Sequence, residues 1–307
     1  MNLVFLGTPE FALPSLKALY DSEHKILAVI CQPDKPRGRN QLVTPTPAKA
    51  FAAKKGLKIL TPLNLGEPGF LSEYKALNPE INVVVAYGRI MPGWLIDHPA
   101  RGTINVHPSL LPKYRGPAPM ARALMAGDAQ TGTTVQYVVE ETDAGNIILQ
   151  EKLKIEAEDN NQTLSEKLAK ISADLLLKAL KLIEENTFEE KRQDETKVIY
   201  APKITKEELR LSFEEPSEKL FNKIRGLAPR PGAYLVLKEK RLKILKAEVN
   251  GNDGRPGEIV AISKEGILVG TKDKTILLKT VQAEGGRAMD AFEFAKGHRI
   301  EKGAFIK

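Results

Sequence analysis

Short apolar runs alternate with longer mixed stretches through the first half of the chain. Leu3-Val4-Phe5-Leu6 reads as a strand ending at Gly7, and residues 10–20 read as a helix with Pro14 tolerated near its start. Ile26-Leu27-Ala28-Val29-Ile30 is a second strand, residues 48–55 a helix, and 57–60 a short strand. Ile81-Asn82-Val83-Val84-Val85-Ala86 is apolar on both faces, as a strand inside a parallel sheet must be. Residues 103–106 form the next strand. This alternation predicts a doubly wound α/β domain. Residues 133–139 and 147–155 read as paired strands. A long helix follows, with Leu164, Leu168, Ile171, Leu175 and Leu182 on one face and Thr163 with Glu166 as a capping box at its start.

The pattern changes after Glu185, where the chain turns polar and charged as far as about Thr205. A linker is expected at 190–206, between a catalytic domain at 1–189 and a smaller domain at 207–307. After a helix at 217–225, short alternating strands are expected at 233–238, 241–248, 257–262, 266–270 and 275–282. Asn250-Gly251-Asn252-Asp253-Gly254 punctuates them. Five strands in so short a span predict a small OB-like β-barrel, an architecture that often holds oligonucleotides.

A length of 307 residues suits two domains, and 42% hydrophobic with 28% charged residues excludes a disordered chain. No apolar run approaches the roughly 18 residues of a membrane helix, so no membrane partner is expected. Cys31 is alone, so an internal disulfide and a Cys-rich zinc site are excluded, which fits a reducing compartment. The apolar start lacks a basic leader and reads as a strand, not a signal peptide. The net charge is +7, and residues 207–307 hold 20 Lys+Arg against 15 Asp+Glu. Nine basic residues and one acid lie between Lys219 and Lys246. Such a stretch is either a footprint for a polyanion or a solvated surface, and charge alone does not separate the two.

The first strand is followed by Gly7-Thr8-Pro9-Glu10, with no Gly-x-Gly-x-x-Gly and no Gly-Lys-Ser/Thr, so dinucleotide and P-loop chemistry lack their backbone cradles. Asn105 and His107 stand two apart at the carboxyl end of a strand and therefore on one side of it. An amide donor beside an imidazole suits a reaction in which an oxyanion develops and a proton moves. The same pair also reads as turn residues before a Pro-rich loop. Asp143 follows 36 residues after His107, in Glu140-Glu141-Thr142-Asp143-Ala144-Gly145. A carboxylate beside imidazole fixes its tautomer. Taken alone, this segment reads as an acidic turn with Gly145 in a left-handed conformation.

Taken in order, Asn105-x-His107, Ser109-Leu110-Leu111-Pro112, Tyr114-Arg115-Gly116 and Asp143-x-Gly145 resemble the folate-dependent formyltransferases. Phe5-Leu6-Gly7-Thr8-Pro9-Glu10-Phe11-Ala12, Gln32-Pro33-Asp34-Lys35-Pro36, Val84-Val85-Ala86-Tyr87-Gly88 and Thr131-Gly132 narrow the likeness to the branch that formylates methionine on initiator tRNA. Ile224-Arg225-Gly226-Leu227-Ala228-Pro229 extends it into the second domain. Pro108 and Arg230, where the pattern has a small residue and a tryptophan, depart from it.

The resemblance implies a Rossmann-like catalytic domain and transfer of a formyl group from 10-formyltetrahydrofolate, with no metal. Asn105, His107 and Asp143 would be catalytic: the first two as donors to the oxyanion, the third holding His107 and relaying a proton. Ser109, Leu110, Leu111 and Pro112, with Arg89, Ile90 and Met91, would line the folate site. Lys35, Arg37 and Arg39, on a basic loop at 34–41, would meet the tRNA with Arg225 and Lys243. That loop, read alone, is equally an exposed basic segment without a partner. The resemblance further implies a cytoplasmic monomer. Two rivals stand beside this reading. A formyltransferase for a small amine would need neither the basic loop nor the basic domain. A non-catalytic RNA-binding protein would have no use for Asn105, His107 and Asp143 together.

Overall fold

Seven strands share one sheet whose middle is set by runs that are buried along their whole length. The computed structural model describes residues 1–37, 42–237 and 239–306. In chain order, β1 (Asn2–Gly7), α1 (Leu13–Tyr20) and β2 (Lys25–Ile30) precede a small hairpin of β3 (Lys35–Arg37) and β4 (Leu42–Thr44). Then come α2 (Pro47–Lys54), β5 (Ile59–Leu60), α3 (Pro68–Leu77), β6 (Ile81–Val85), α4 (Gly93–Asp97) and β7 (Thr103–His107). The remainder of this half is β8 (Lys113–Arg115), α5 (Pro119–Ala126), β9 (Gln130–Tyr137), β10 (Ile147–Lys154), α6 (Asn161–Glu185) and β11 (Ile199–Tyr200).

The sheet order is β5-β2-β1-β6-β7-β9-β10, parallel from β5 to β7 and antiparallel in its last two pairings. The chain leaves β1 toward one edge and later returns to β6 on the other side. That reversal opens a crevice at the carboxyl ends of β1 and β6, beside β7. One core cluster gathers Val4, Leu6, Ala28, Ile30, Val84 and Leu95 against Phe70 and Tyr74. Asn82, polar inside β6, is fully buried because it is satisfied: Tyr74 Oη donates to its Oδ1 at 3.0 Å, and its Nδ2 donates to the Leu95 carbonyl at 2.8 Å.

The chain divides into two compact units. The first holds Met1–Pro119, Gln130–Lys154 and Ser165–Ala201; the second holds Met120–Ala129, Ile155–Leu164 and Pro202–Lys307. Part of the stretch expected as a linker, up to Ala201, thus belongs to the first unit. The second unit contains α7 (Ser217–Leu227), β12 (Ala233–Leu237), β13 (Lys240–Asn250), β14 (Ile259–Ser263), β15 (Gly266–Gly270), β16 (Thr275–Ala283), β17 (Ala288–Asp290) and α8 (Ala291–His298). Its strands are antiparallel in the order β12-β13-β16-β15-β14, with β17 on β16. Leu220, Ile224, Leu235, Ile244, Val269, Leu278 and Phe294 form its core.

The start of α6 corrects one expectation. Thr163 is not the cap. Asn160 Oδ1 accepts from the Thr163 N–H at 3.0 Å, and Thr163 Oγ1 accepts in return from the Asn160 N–H at 3.0 Å. The reciprocal box therefore begins three residues earlier, with threonine in the position usually filled by Glu or Gln.

Candidate active site

Asn105 and His107 lie near and at the end of β7, where alternation puts both side chains on one face. Asn105 sits between Val84 of β6 and Gln136 of β9 in register. Beyond His107 the chain must turn back, and its turn is fastened from within. Ser109 Oγ donates to the Lys113 carbonyl at 2.6 Å, and Thr134 Oγ1 donates to the Ser109 carbonyl at 2.7 Å. The turn returns Tyr114, with φ +66°, to His107, whose Nε2 lies 2.8 Å from the Tyr114 carbonyl oxygen. A carbonyl only accepts, so Nε2 carries a proton. The other ring nitrogen, Nδ1, lies 3.5 Å from Asp143 Oδ2.

Asp143 reaches this point from the loop between β9 and β10. It adopts a left-handed conformation itself, with φ +54°. Gly145 serves a different need from the one expected. Its φ is not positive; a Cβ there would stand 1.8 Å from the Tyr137 carbonyl oxygen, so only glycine lets the loop lie this close to β9. Asp143 is ringed by donors. Gly116 N–H reaches Oδ2 at 2.8 Å, Gln136 Nε2 reaches Oδ1 at 3.1 Å, and Asn105 Nδ2 reaches Oδ1 at 3.3 Å. The His107 and Asp143 side chains are only 6% and 12% exposed, so their mutual field is weakly screened by water.

The three residues expected to act together are thus brought together. Gln136, Gly116, Arg115 and Gln193, which complete the arrangement, were not singled out for it from sequence. Gln136 carries no distinguishing sign in the sequence, since Thr131, Thr133 and Thr134 are equally polar residues of the same strand. Arg115 is completely buried. Burial alone would lower its pKa, but the bond to Glu195 and the charges of Glu195 and Glu141 outweigh it and hold the guanidinium charged.

The other expected site residues are placed as follows. Ser109 is fully buried with its hydroxyl used in the turn, and Leu111 is buried, with its carbonyl accepting from Gln150 Nε2 at 2.9 Å. Leu110 and Pro112 are half-buried, and Leu110 packs against Gly132. Past β6, Ile90 is exposed, Met91 packs against the core, and Arg89 donates to the Pro62 and Leu63 carbonyls at 2.9 and 3.1 Å. In the hairpin, the backbones of Lys35 and Arg37 pair with Thr44 and Leu42. Arg39 lies outside the described residues. Arg225 is half-buried within the second unit, donating to Asn222 Oδ1 at 2.8 Å and the Glu156 carbonyl at 3.3 Å. Lys243 is half-buried on β13, opposite Tyr234 and Gln282. Cys31 is buried and its thiol is pushed up to about 11 by burial, as befits a packing residue.

Comparison with known proteins identifies the family. The chain is 41% identical, over all of its length and 99% of the other, to the methionyl-tRNA formyltransferase of Moorella thermoacetica. It is 43% identical to that of Caldicellulosiruptor saccharolyticus over the whole of both chains. Among solved structures, an N-formyltransferase from Helicobacter canadensis in complex with folinic acid and dTDP-3-aminofucose shares the fold, with a TM-score of 0.69 and 20% identity over 92% of this chain and 99% of that one. Residues 1–180 match the formyl transferase model and residues 203–299 the formyl transferase C-terminal domain, so the chain belongs to the formyl transferase family.

Proposed function

We propose that this chain transfers the formyl group of 10-formyltetrahydrofolate to the amino group of methionine carried on initiator tRNA. One observation carries the chemistry: Asn105 and His107 both converge on Asp143, at 3.3 and 3.5 Å, with one nitrogen of the imidazole already committed. The acceptor is read from the full-length relatives named for that substrate, which share both units with this chain.

The amine lone pair attacks the formyl carbon, and negative charge gathers on the formyl oxygen. Nε2 of His107 donates to Tyr114, so Nδ1 is the ring nitrogen left for the reacting group, and it donates to the oxyanion in the doubly protonated ring. Its 3.5 Å separation from Asp143 is longer than a hydrogen bond and leaves it free to do so. The Asn105 amide is the second donor. Collapse of the tetrahedral species breaks the bond to the folate nitrogen. The proton lost by the attacking nitrogen must reach that leaving nitrogen, and Asp143 stands where it can take it up and pass it on. The folate fits the surroundings in kind: past β6, the strand next to β7, the chain is exposed at Ala86, Gly88 and Ile90 and offers apolar surface, as a flat heteroaromatic group requires.

In this reading the first unit, which keeps the chain as far as Ala201, carries the chemistry, and residues 207–307 hold the tRNA through charge. Lys35, Arg37, Arg39, Arg225 and Lys243 are its RNA-facing residues, with the half-buried Arg225 anchoring its helix as well. No helix among the described residues is long and apolar enough to cross a membrane. The enzyme acts as a cytoplasmic monomer. The test is formyl transfer from 10-formyltetrahydrofolate to methionyl initiator tRNA, run beside a nucleotide-linked amino sugar. Efficient transfer to the tRNA alone is expected; preference for the sugar would overturn the choice of acceptor.

A further inference from the structure

Gln193 sits in the polar stretch that reads as a linker, yet its side chain is fully engaged within the first unit. Its Oε1 accepts from Arg115 Nε at 3.0 Å. Its Nε2 lies 3.0 Å from Gln136 Oε1 and 2.8 Å from each of the main-chain oxygens of Asp143 and Gly145, three acceptors that share its two hydrogens. Gln136 then donates from Nε2 to Asp143 Oδ1 at 3.1 Å.

We propose that Arg115, Gln193 and Gln136 form a one-way hydrogen-bond relay that holds Asp143 as a proton acceptor, with Gln193 as its positioning residue. The proposal rests on the reaction assigned above, in which Asp143 takes up a proton. Direction comes from chemistry at the far end. A guanidinium has donors only. Arg115 is completely buried and clamped by Glu195, at 3.1 and 2.6 Å, and by Glu141 at 3.5 Å, so it cannot turn away. Gln193 must therefore show its oxygen to Arg115 and its NH₂ to the catalytic loop. Gln136 must in turn show its oxygen to Gln193 and its NH₂ to the carboxylate. Reversing either amide would set oxygen against oxygen or N–H against N–H.

The same side chain supports the loop mechanically. The Gln193 NH₂ ties the carbonyls on either side of Ala144, the turn where Asp143 sits at φ +54°. A conformation unfavourable for a residue with a Cβ persists only where its surroundings over-determine it. The relay supplies those surroundings and sets the polarity of the carboxylate's partners.

Gln193→Glu tests the direction. It keeps the length of the side chain and an oxygen for Arg115 but replaces the donor by a second oxygen. Gln136 must then rotate and show its oxygen to Asp143. Gln193→Met keeps the bulk and removes donor and acceptor together. Tyr74→Phe is the control for stability alone: it removes a buried hydrogen bond of the same unit, to Asn82, far from these contacts in the hydrogen-bond network. Measured for each are kcat, both KM values, the pH profile of kcat, the melting temperature, and the side-chain amide protons of Gln136 by NMR.

Both Gln193 variants should lose about tenfold or more in kcat, the cost of weakening a hydrogen bond to a charged group, with both KM values within about twofold of wild type. In Gln193→Glu alone, the acid limb of the profile should move to higher pH, because an acceptor turned toward the carboxylate and the added negative charge nearby both favour its protonated form. Tyr74→Phe should lower the melting temperature and leave kcat unchanged. The Gln136 amide protons should exchange slowly in wild type and rapidly in both Gln193 variants. A Gln193→Met enzyme with wild-type kcat, an unmoved acid limb in Gln193→Glu, or unprotected Gln136 protons in wild type would each overturn the relay. If wild type fails to formylate the tRNA, the assigned reaction fails; the NMR arm then judges the relay by itself.

Discussion

Gly145→Ala should disable the enzyme without unfolding it. The glycine is not needed for a left-handed backbone, so alanine introduces no dihedral strain. The difficulty is steric and can be measured: the new Cβ would stand 1.8 Å from the Tyr137 carbonyl oxygen and 2.7 Å from its carbon, and real Cβ contacts stay above 3.0 Å. Both partners are main chain within β9, so the loop rather than the strand must withdraw, by more than about 1 Å. Asp143 lies two residues upstream and shares that displacement. Its bond from Gly116 N–H, 2.8 Å in the native protein, would lengthen past useful range, and its approach to His107 Nδ1 would open beyond 3.5 Å. Misplacing a catalytic group by about 1 Å costs on the order of 10²-fold in rate. The assay is formyl transfer under saturating 10-formyltetrahydrofolate and methionyl-tRNA, with tRNA affinity measured separately by filter binding. A kcat about 100-fold below wild type, with unchanged tRNA affinity, is expected. A variant within threefold of wild type would show that the loop absorbs the methyl group without moving Asp143, and the geometric account of this carboxylate would be wrong.

Asn105→Ala and His107→Ala should each lower kcat by about 10²–10³-fold in the same assay and leave tRNA affinity intact, since each removes a donor to the developing oxyanion; wild-type turnover in either would exclude that residue from the chemistry. Arg241→Ala combined with Lys243→Ala should flatten the dependence of tRNA affinity on salt, by about 0.7–0.9 in the log–log slope for each lost phosphate contact, as read by filter binding over a KCl series. These substitutions are a better test than deleting residues 207–307, because Met120–Ala129 and Ile155–Leu164 belong to the same compact unit and would be left without it. Glu208 is held down to about 2, first by its hydrogen bonds from Arg122, against an ordinary value of 4.5. Its stabilisation is complete above about pH 5 and is lost as pH falls toward 2. Glu208→Gln should therefore lower the melting temperature at pH 7, and the gap from wild type, followed by calorimetry, should close on acidification.

The parallel core was legible because its strands are buried on both faces and carry the continuous apolar runs that such burial demands: Phe5, Val29, Val83 and Val106 all sit within them. Elements that depend on distant partners were less visible. The helix Pro68–Leu77 begins Pro-Gly, and Ala291–His298 is short and polar, held by Asp290 accepting from the Phe292 and Glu293 N–H groups and by Phe294 in the core. The box at the start of α6 was displaced by three residues because Thr163 satisfies the cap motif equally well as a donor's partner at either end. At Gly145 the glycine was read for its conformational freedom when its role is the absence of a side chain. A sequence shows that a position is glycine but not which of those two needs it meets.

The same distinction separates the residues proposed as catalytic from those proposed to aim them. Asn105, His107 and Asp143 stand in short motifs whose residue types state their chemistry. Gln193 and Gln136 have no such signature, because an amide can face either way, and what decides its direction lies 78 and 57 residues distant along the chain for Gln193. Arg115 stands in the sequence within Tyr114-Arg115-Gly116 with no role attached, and only burial reveals it as the fixed end of a directed chain. Lysine at that position would also offer donors only, so the direction of the relay would survive. A single ammonium, however, cannot present the planar fork that meets Gln193 and Glu195 together. Arg115→Lys should thus loosen the Asp143 loop without reversing it, lowering kcat while leaving the acid limb of the pH profile in place, whereas Gln193→Glu lowers kcat and moves that limb. A reversed pairing of those two signatures would mean that charge at 115, and not the direction of the hydrogen bonds, governs the carboxylate.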